Sequence, residues 1–145
     1  MVTVADGRLR LRQRVYFAGD RYTIPLYSIA PLRAVAQFLS DHPEVRTVRV
    51  EGHADDRGTR RHGFELSLRR ALAVARFLTD QGVARDRLVA VGLGDLAPLA
   101  RPHDEVTRAR NRRIDFAVEG AASPLPQGAW TPAEHPLTDL PGARR

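Results

Sequence analysis

Residues 47–91 read as a strand, a long helix and a second strand, and no other feature of the chain constrains its fold as tightly. From Thr47 to Glu51 the residues alternate, with Val48 and Val50 set to face inward and Arg49 and Glu51 outward, which is the period of an extended chain with two different faces. Phe64 to Gln81 carries Leu68, Ala71, Leu72, Ala75 and Leu78 on one helical stripe, and Gly82 follows where a helix-terminating glycine belongs. Leu88 to Val91 is a short apolar run ended by Gly92-Leu93-Gly94. Two strands separated by a helix need a crossover connection, so at least part of the sheet is expected to be parallel.

The flanks extend this pattern. Residues 8–17 alternate Leu9, Leu11, Val15 and Phe17 against arginines, as one strand broken at Gly19-Asp20. Ser28 to Ser40 reads as a helix, with Leu32, Val35, Ala36 and Leu39 on one face, Ser28 as its cap, Pro31 in its first turn and Pro43 blocking its continuation. His103 to Asn111 is a candidate short helix, and Arg113 to Val118 alternates again with Ile114, Phe116 and Val118 on one side. The order β-α-β-α-β-(α)-β predicts an α/β (α+β) fold. Residues 1–12 form a lead-in that includes a candidate strand. From Glu119 to residue 145 the periodicity stops and prolines 124, 126, 132, 136 and 141 punctuate small residues, so 119–145 is expected to be a disordered or loosely attached tail. Trp130 within it is read as part of a solvated linker, docking being the alternative.

Composition narrows the classes. The chain has 145 residues, enough for one domain with a core of its own. It has no run of about 18 apolar residues, which a membrane-spanning helix needs. It has no cysteine, which excludes a disulfide framework and a thiolate metal site. Met1 to Gly7 has neither the basic start nor the apolar core of a signal peptide, which suits a cytoplasmic chain or one whose targeting segment lies outside this sequence. The net charge is +6 and every basic residue is arginine, a balance that favours anionic partners.

The candidate site lies after the second strand, at Gly52-His53-Ala54-Asp55. Asp55 stands just past a strand end, where ligand sites concentrate, beside a glycine that permits close backbone approach. Arg70 follows 15 positions later on the long helix and is able to face the same loop. A carboxylate and a guanidinium across a gap fit a zwitterion, since aspartate accepts from an ammonium group and arginine forks onto a carboxylate. Spacing alone leaves the plainer readings open: Asp55 as a turn cap, or Asp55 and Arg70 as an ion pair.

Blocks of sequence in a fixed order add a resemblance. Val15-Tyr16-Phe17 is followed by Gly52-His53-Ala54-Asp55-Asp56-Arg57-Gly58 and Leu66-Ser67-Leu68-Arg69-Arg70-Ala71. Then come Gly82-Val83 with Arg87-Leu88, Gly92-Leu93-Gly94 with Pro98, and Arg108-Ala109-Arg110-Asn111-Arg112-Arg113-Ile114. Together they resemble the OmpA-like domain over residues 13–118. The family includes outer-membrane porin tails, peptidoglycan-associated lipoproteins and flagellar stator proteins. The resemblance implies a mixed four-stranded sheet with helices on one face and non-covalent, non-catalytic binding of the peptidoglycan peptide stem, with no cofactor. The implied epitope is the zwitterionic end of diaminopimelate, Asp55 taking the ammonium and Arg70 the carboxylate. The implied site also includes Asp20, Gly63 and Ala71, with Arg113 as a candidate support for Asp55. Gly52, His53, Gly58, Leu66, Ser67 and Asn111 are its structural motif residues, Asn111 being read as turning the chain into the last strand. A domain of this kind tethers a parent envelope protein, in the periplasm and associated with the outer membrane, to the cell wall. The chain departs from the family pattern at Gly63, where asparagine is usual, at Thr107 for a glycine, in Ala18-Gly19 of the first-strand loop, and at Ala100 to Pro102, where an asparagine is missing.

Two rival readings use other residues. His53, Asp55 and His62 suggest a metal site but lack an evident third and fourth ligand, so no metal is expected. Arg57, Arg60, Arg61, Arg69, Arg70, Arg108, Arg110, Arg112 and Arg113 suggest an arginine-rich nucleic-acid-binding domain. With aromatics at 6% and few of them among the arginines, no base-stacking platform is evident, and nucleic acid is not the expected partner.

Overall fold

A computed structural model describes residues 2–98 and 104–136. The strands are β1 (Val2–Ala5), β2 (Arg8–Leu11), β3 (Val15–Tyr16), β4 (Val48–Gly52), β5 (Leu88–Gly92) and β6 (Arg113–Val118). The helices are α1 (Ile29–Asp41), α2 (Arg60–Asp80) and α3 (Glu105–Asn111). One sheet runs in the order β1-β2-β6-β4-β5, with β3 also pairing β6. Among the described residues only β4 and β5 pair in parallel, joined by α2 as the crossover the sequence predicts, and their register sets Gly52 beside Gly92.

Among the described residues the sheet has six strands rather than four. The expected lead-in is a hairpin: Asp6 and Gly7 both take positive φ, 54° and 73°, and turn β1 directly onto β2. Residues 8–17 are not one strand either. Arg8 pairs with Ala117 and Val15 with Ile114, so a break at residues 12–14 lets β2 and β3 address successive stretches of β6.

Valines 48 and 50, Ala90, Ile114 and Phe116 line one face of the sheet and pack with Leu32, Val35 and Leu39 of α1 and Leu68, Ala71, Val74 and Leu78 of α2. Burial of this set in one cluster is the main stabilising term, each large side chain contributing about 1.5–3 kcal/mol. The seat of α2 is tight because two glycines make it so. A methyl group on Gly52 would overlap the Ser67 carbonyl, and one on Gly92 would lie 2.8 Å from Leu68 Cβ.

Three helix ends differ from expectation. α2 begins at Arg60, four residues before Phe64, because Thr59 caps it by accepting from the His62 N–H at 3.1 Å. That first turn is polar and therefore invisible to a hydrophobic stripe. Ser28 precedes α1 but does not cap it; its hydroxyl donates to the Tyr16 carbonyl at 2.8 Å and ties α1 to β3 instead. α3 starts after Asp104, which accepts from the Thr107 N–H at 2.8 Å, and the expected start at His103 lies outside the described residues.

Arg49 and Glu51 do point away from the helices, yet they are 3% and 2% exposed. The N-terminal hairpin and the chain beyond β6 cover them: Arg8 reaches Glu51 at 2.9 Å, and Arg49 donates to the Ser123 carbonyl at 2.8 Å. Trp130 is not part of a solvated linker. It bridges Gly92 through two backbone hydrogen bonds of 2.8 Å, and its ring stacks on Phe64 and on His135. The tail from residue 137 lies outside the described residues.

Candidate functional site

The segment that carries Asp55 is held as an extension of the sheet. Past the end of β4, the His53 N–H donates to the Arg113 carbonyl at 2.9 Å, the Ala54 N–H donates to the Gly94 carbonyl at 2.8 Å, and the Leu93 N–H donates to the Gly52 carbonyl at 2.9 Å. Gly58, with φ of 78°, then turns the chain toward Thr59 and the start of α2. Ser67 fastens α2 to the neighbouring loop: its buried hydroxyl accepts from the Gly94 N–H at 2.9 Å and donates to the Phe64 carbonyl at 3.0 Å.

Asp55 and Arg70 line one cavity of about 440 Å³, together with Gly19, Asp20, Gly63 and Leu66. Asp55 is nearly buried and well supplied with donors. One carboxylate oxygen accepts from the Arg57 backbone N–H at 3.0 Å; the other accepts from Arg57 Nη2 at 3.0 Å and Arg112 Nη1 at 2.9 Å. Burial pushes its carboxyl upward, but the hydrogen bonds from Arg57 and Arg112 outweigh that and hold it below the ordinary aspartate range. It is an anion at neutral pH.

Arg70 is fully buried, and backbone carbonyls orient it. Nε donates to Arg21 at 2.7 Å and Nη2 to Gly19 at 2.6 Å, while the Phe17 ring lies 5.2 Å beneath the guanidinium. Nη1 is buried and has no hydrogen-bond partner among the described residues. Burial and the nearby Arg112 lower its pKa to about 10 against the pull of Asp55 and Asp20, which leaves it charged at neutral pH. The cavity is thus lined by a cation with an unpartnered nitrogen and by an anion. A zwitterion is the complementary ligand chemistry.

The other expected site residues divide. Asp20 lies at the rim, its carboxylate 2.8 Å from His62 Nε2, and Gly63 is in the cavity wall. Gly58 and Leu66 also face it. Ala71 does not: it is fully buried in the core against the sheet. Arg113 does not support Asp55. It lies on the opposite face, donating to Asp115 at 3.0 Å and to the Ala97 carbonyl at 2.9 Å. The support comes from Arg112, which bridges Asp55 and Glu105 at 2.9 and 2.8 Å. Arg112 and the partly exposed Arg57 are the partners of Asp55 that sequence reasoning missed, although both stand inside the quoted motifs.

His53 is buried on the same opposite face, 3.3 Å from an Asp115 carboxylate oxygen, and burial lowers its pKa so that it is neutral. His53, Asp55 and His62 therefore have separate partners, and no group of three or more metal-ligating side chains occurs among the described residues. Several arginines of the nucleic-acid reading are engaged by carboxylates: Arg57 by Asp55, Arg108 by Asp56, Arg112 by Asp55 and Glu105, and Arg113 by Asp115.

The sequence matches the OmpA family over residues 16–112. It is 37% identical over 107 residues to a peptidoglycan-associated lipoprotein of Legionella pneumophila, covering 74% of this chain and 60% of that protein. It is 39% identical over 110 residues to a peptidoglycan-associated lipoprotein of Pasteurella multocida, covering 74% and 73%. The solved peptidoglycan-associated lipoprotein from Burkholderia pseudomallei is similar with a TM-score of 0.68 at 40% identity, over 72% of this chain and 89% of that one. The cell wall anchor of the T6SS from Pseudomonas aeruginosa gives 0.65 at 29% identity, over 81% and 85%. The C-terminal domain of Helicobacter pylori MotB shares the fold, with a TM-score of 0.66 at 22% identity over 72% and 81%.

Proposed function

The chain belongs to the OmpA family, and on that premise we propose that it binds the peptide stem of peptidoglycan without chemistry, holding the zwitterionic end of a residue such as diaminopimelate between Asp55 and Arg70. The single observation that carries this reading is the state of Arg70. Its guanidinium is buried and oriented by two carbonyls, keeps one unpartnered nitrogen, and shares a cavity with a carboxylate. Arg70 Nη1 donates to the ligand carboxylate, and Asp55 accepts from the ammonium. Arg57, 48% exposed on its side chain, is the Asp55 partner that the ligand displaces, while the buried Arg112 stays as the fixed counter-charge. No bond is made or broken in this role, so the domain acts as an anchor. Relatives that are peptidoglycan-associated lipoproteins, and a structural neighbour that is a cell wall anchor, support the assignment. In this reading residues 13–118 are the binding unit of a parent protein in the periplasm, associated with the outer membrane.

Co-sedimentation with purified sacculi and amide-shift titration with free diaminopimelate test it. Asp55→Asn and Arg70→Ala are expected to weaken binding by about 2–3 kcal/mol, the cost of leaving one charge of a recognised pair unmet. Equal binding by wild type and Asp55→Asn, or no binding by either, removes the clamp. A steep loss of sacculus binding with salt that is indifferent to Asp55 would instead favour a diffuse anion surface, as the nucleic-acid reading requires.

A further inference from the structure

The face of the sheet opposite α1 and α2 carries a second cavity, of about 350 Å³, whose lining shares no residue with the Asp55 site. We propose that this cavity binds a small anion: a carboxylate or phosphate carried on a body about the size of a sugar ring.

The charge in its walls is unbalanced. Arg8, Arg10, Arg14, Arg49 and Arg113 line it against two carboxylates, Glu51 and Asp115. Both carboxylates are already bracketed. Glu51 lies 2.9 Å from Arg8 and 3.1 Å from Arg49, and Asp115 lies 3.0 Å from Arg113, 3.4 Å from Arg14 and 3.3 Å from His53. The remaining acidic partners sit outside. Asp6 reaches Arg10 at 3.6 Å and Glu119 reaches Arg49 at 3.4 Å, but their side chains are 91% and 47% exposed, where water and salt screen the attraction.

Polar atoms in these walls are also left over. Among the described residues Arg113 Nη1 and His53 Nδ1 have no hydrogen-bond partner, although both residues are more than nine-tenths buried and line the cavity. A buried donor without a partner costs about 1–3 kcal/mol, so a group that can accept from this wall is favoured there. Burial drives the Arg113 guanidinium below its ordinary pKa, against the pull of Asp115. Leu11, Leu93, Pro124 and Pro126 supply the apolar remainder of the lining. A bare inorganic ion leaves that surface unused, and the volume falls at the small end of ligand pockets. The shape and the charge together call for an anionic group on a compact body.

Amide-shift titration of the full chain tests this, with glucose 6-phosphate, glucuronate, inorganic phosphate and neutral glucose as probes. Saturable shifts confined to residues 8–11 and 113–116 are expected with a sugar anion and not with glucose. Response to both sugar anions supports recognition of the shared charge, and response to one alone identifies the headgroup. Arg8→Gln with Arg14→Gln, at side chains 36% and 42% exposed, is expected to weaken binding at least tenfold. Arg10→Gln, 52% exposed, offers a second variant should the first lose its fold. Asp55→Asn is expected to leave this binding unchanged, which separates it from the clamp. Absence of saturable shifts, tighter binding of inorganic phosphate than of either sugar anion, or equal affinity in folded arginine variants overturns the proposal.

Discussion

Gly52→Ala connects the packing of α2 to the geometry of the binding site. A Cβ at this position would lie 2.8 Å from the Ser67 carbonyl carbon and closer still to its oxygen, both backbone atoms of α2. Ordinary carbon–carbon contact begins near 3.5 Å, so the helix would have to retreat by roughly 0.7 Å or more. Backbone cannot rotate away as a side chain can. The cost is therefore set at the upper end of the overpacking range, about 3 kcal/mol. For a domain of this size, 1 kcal/mol moves the melting temperature by about 3–4 °C, so a fall of roughly 10 °C is expected. Function is expected to suffer separately. Ser67 and Arg70 are on the same helix, so the retreat draws Arg70 away from the carbonyls of Gly19 and Arg21 and widens its separation from Asp55. Calorimetry and sacculus binding, both run below the lowered melting temperature, read the two effects. A melting temperature within 2 °C of wild type, on the scale above, would refute the close seating of α2 on β4.

Three further outcomes follow from individual residues. Gly63→Asn restores the residue usual in the family at a helical position where a Cβ meets only Ala54 Cβ at 3.8 Å; it is expected to stabilise the domain by a few tenths of a kcal/mol and to tighten diaminopimelate binding in calorimetric titration, and a weakened affinity would show that the added amide blocks the cavity. Thr59→Ala removes the α2 cap and is expected to cost about 1 kcal/mol in urea unfolding, an unchanged midpoint counting against the cap. Asp55 has a folded pKa below its unfolded value of about 3.9, so its contribution is complete above that pH and is lost as acid takes the pH down through the folded value. The stability difference between wild type and Asp55→Asn is expected to hold steady from about pH 7 to 5 and to shift against wild type toward about pH 3, a constant difference throughout being the refuting result.

Much of the fold was legible because its elements obey simple periods. The β4–α2–β5 crossover and the limits of β6 follow from alternation and from the Leu68–Leu78 stripe. What escaped did so for definable reasons. The first turn of α2 is polar and is held by a cap, not by burial. The β1–β2 hairpin was masked by arginines on its second strand, although Asp6-Gly7 between two alternating runs is a strong short-range hairpin signal. Trp130 docks by a backbone bridge to Gly92, a contact with no periodic trace in a proline-rich stretch.

The site shows the same division most clearly at Arg112 and Arg113. That Asp55 and Arg70 share one cavity was legible because a strand end, a glycine and a helix face restrict where their side chains can point. The choice between two adjacent arginines depends on parity. Ile114 and Phe116 belong to the core beneath the helices, and a strand sends successive side chains to opposite faces, so Arg113 and Asp115 must face the other side. Arg113 was thus committed by the alternation of its own strand to the cavity with His53. Arg112 precedes β6, where that alternation no longer binds it, and it turns toward Asp55 and Glu105. One residue of register therefore assigns neighbouring arginines to two different cavities. Exchanging their roles would require β6 to slip by one position, which would turn Ile114 and Phe116 out of the core.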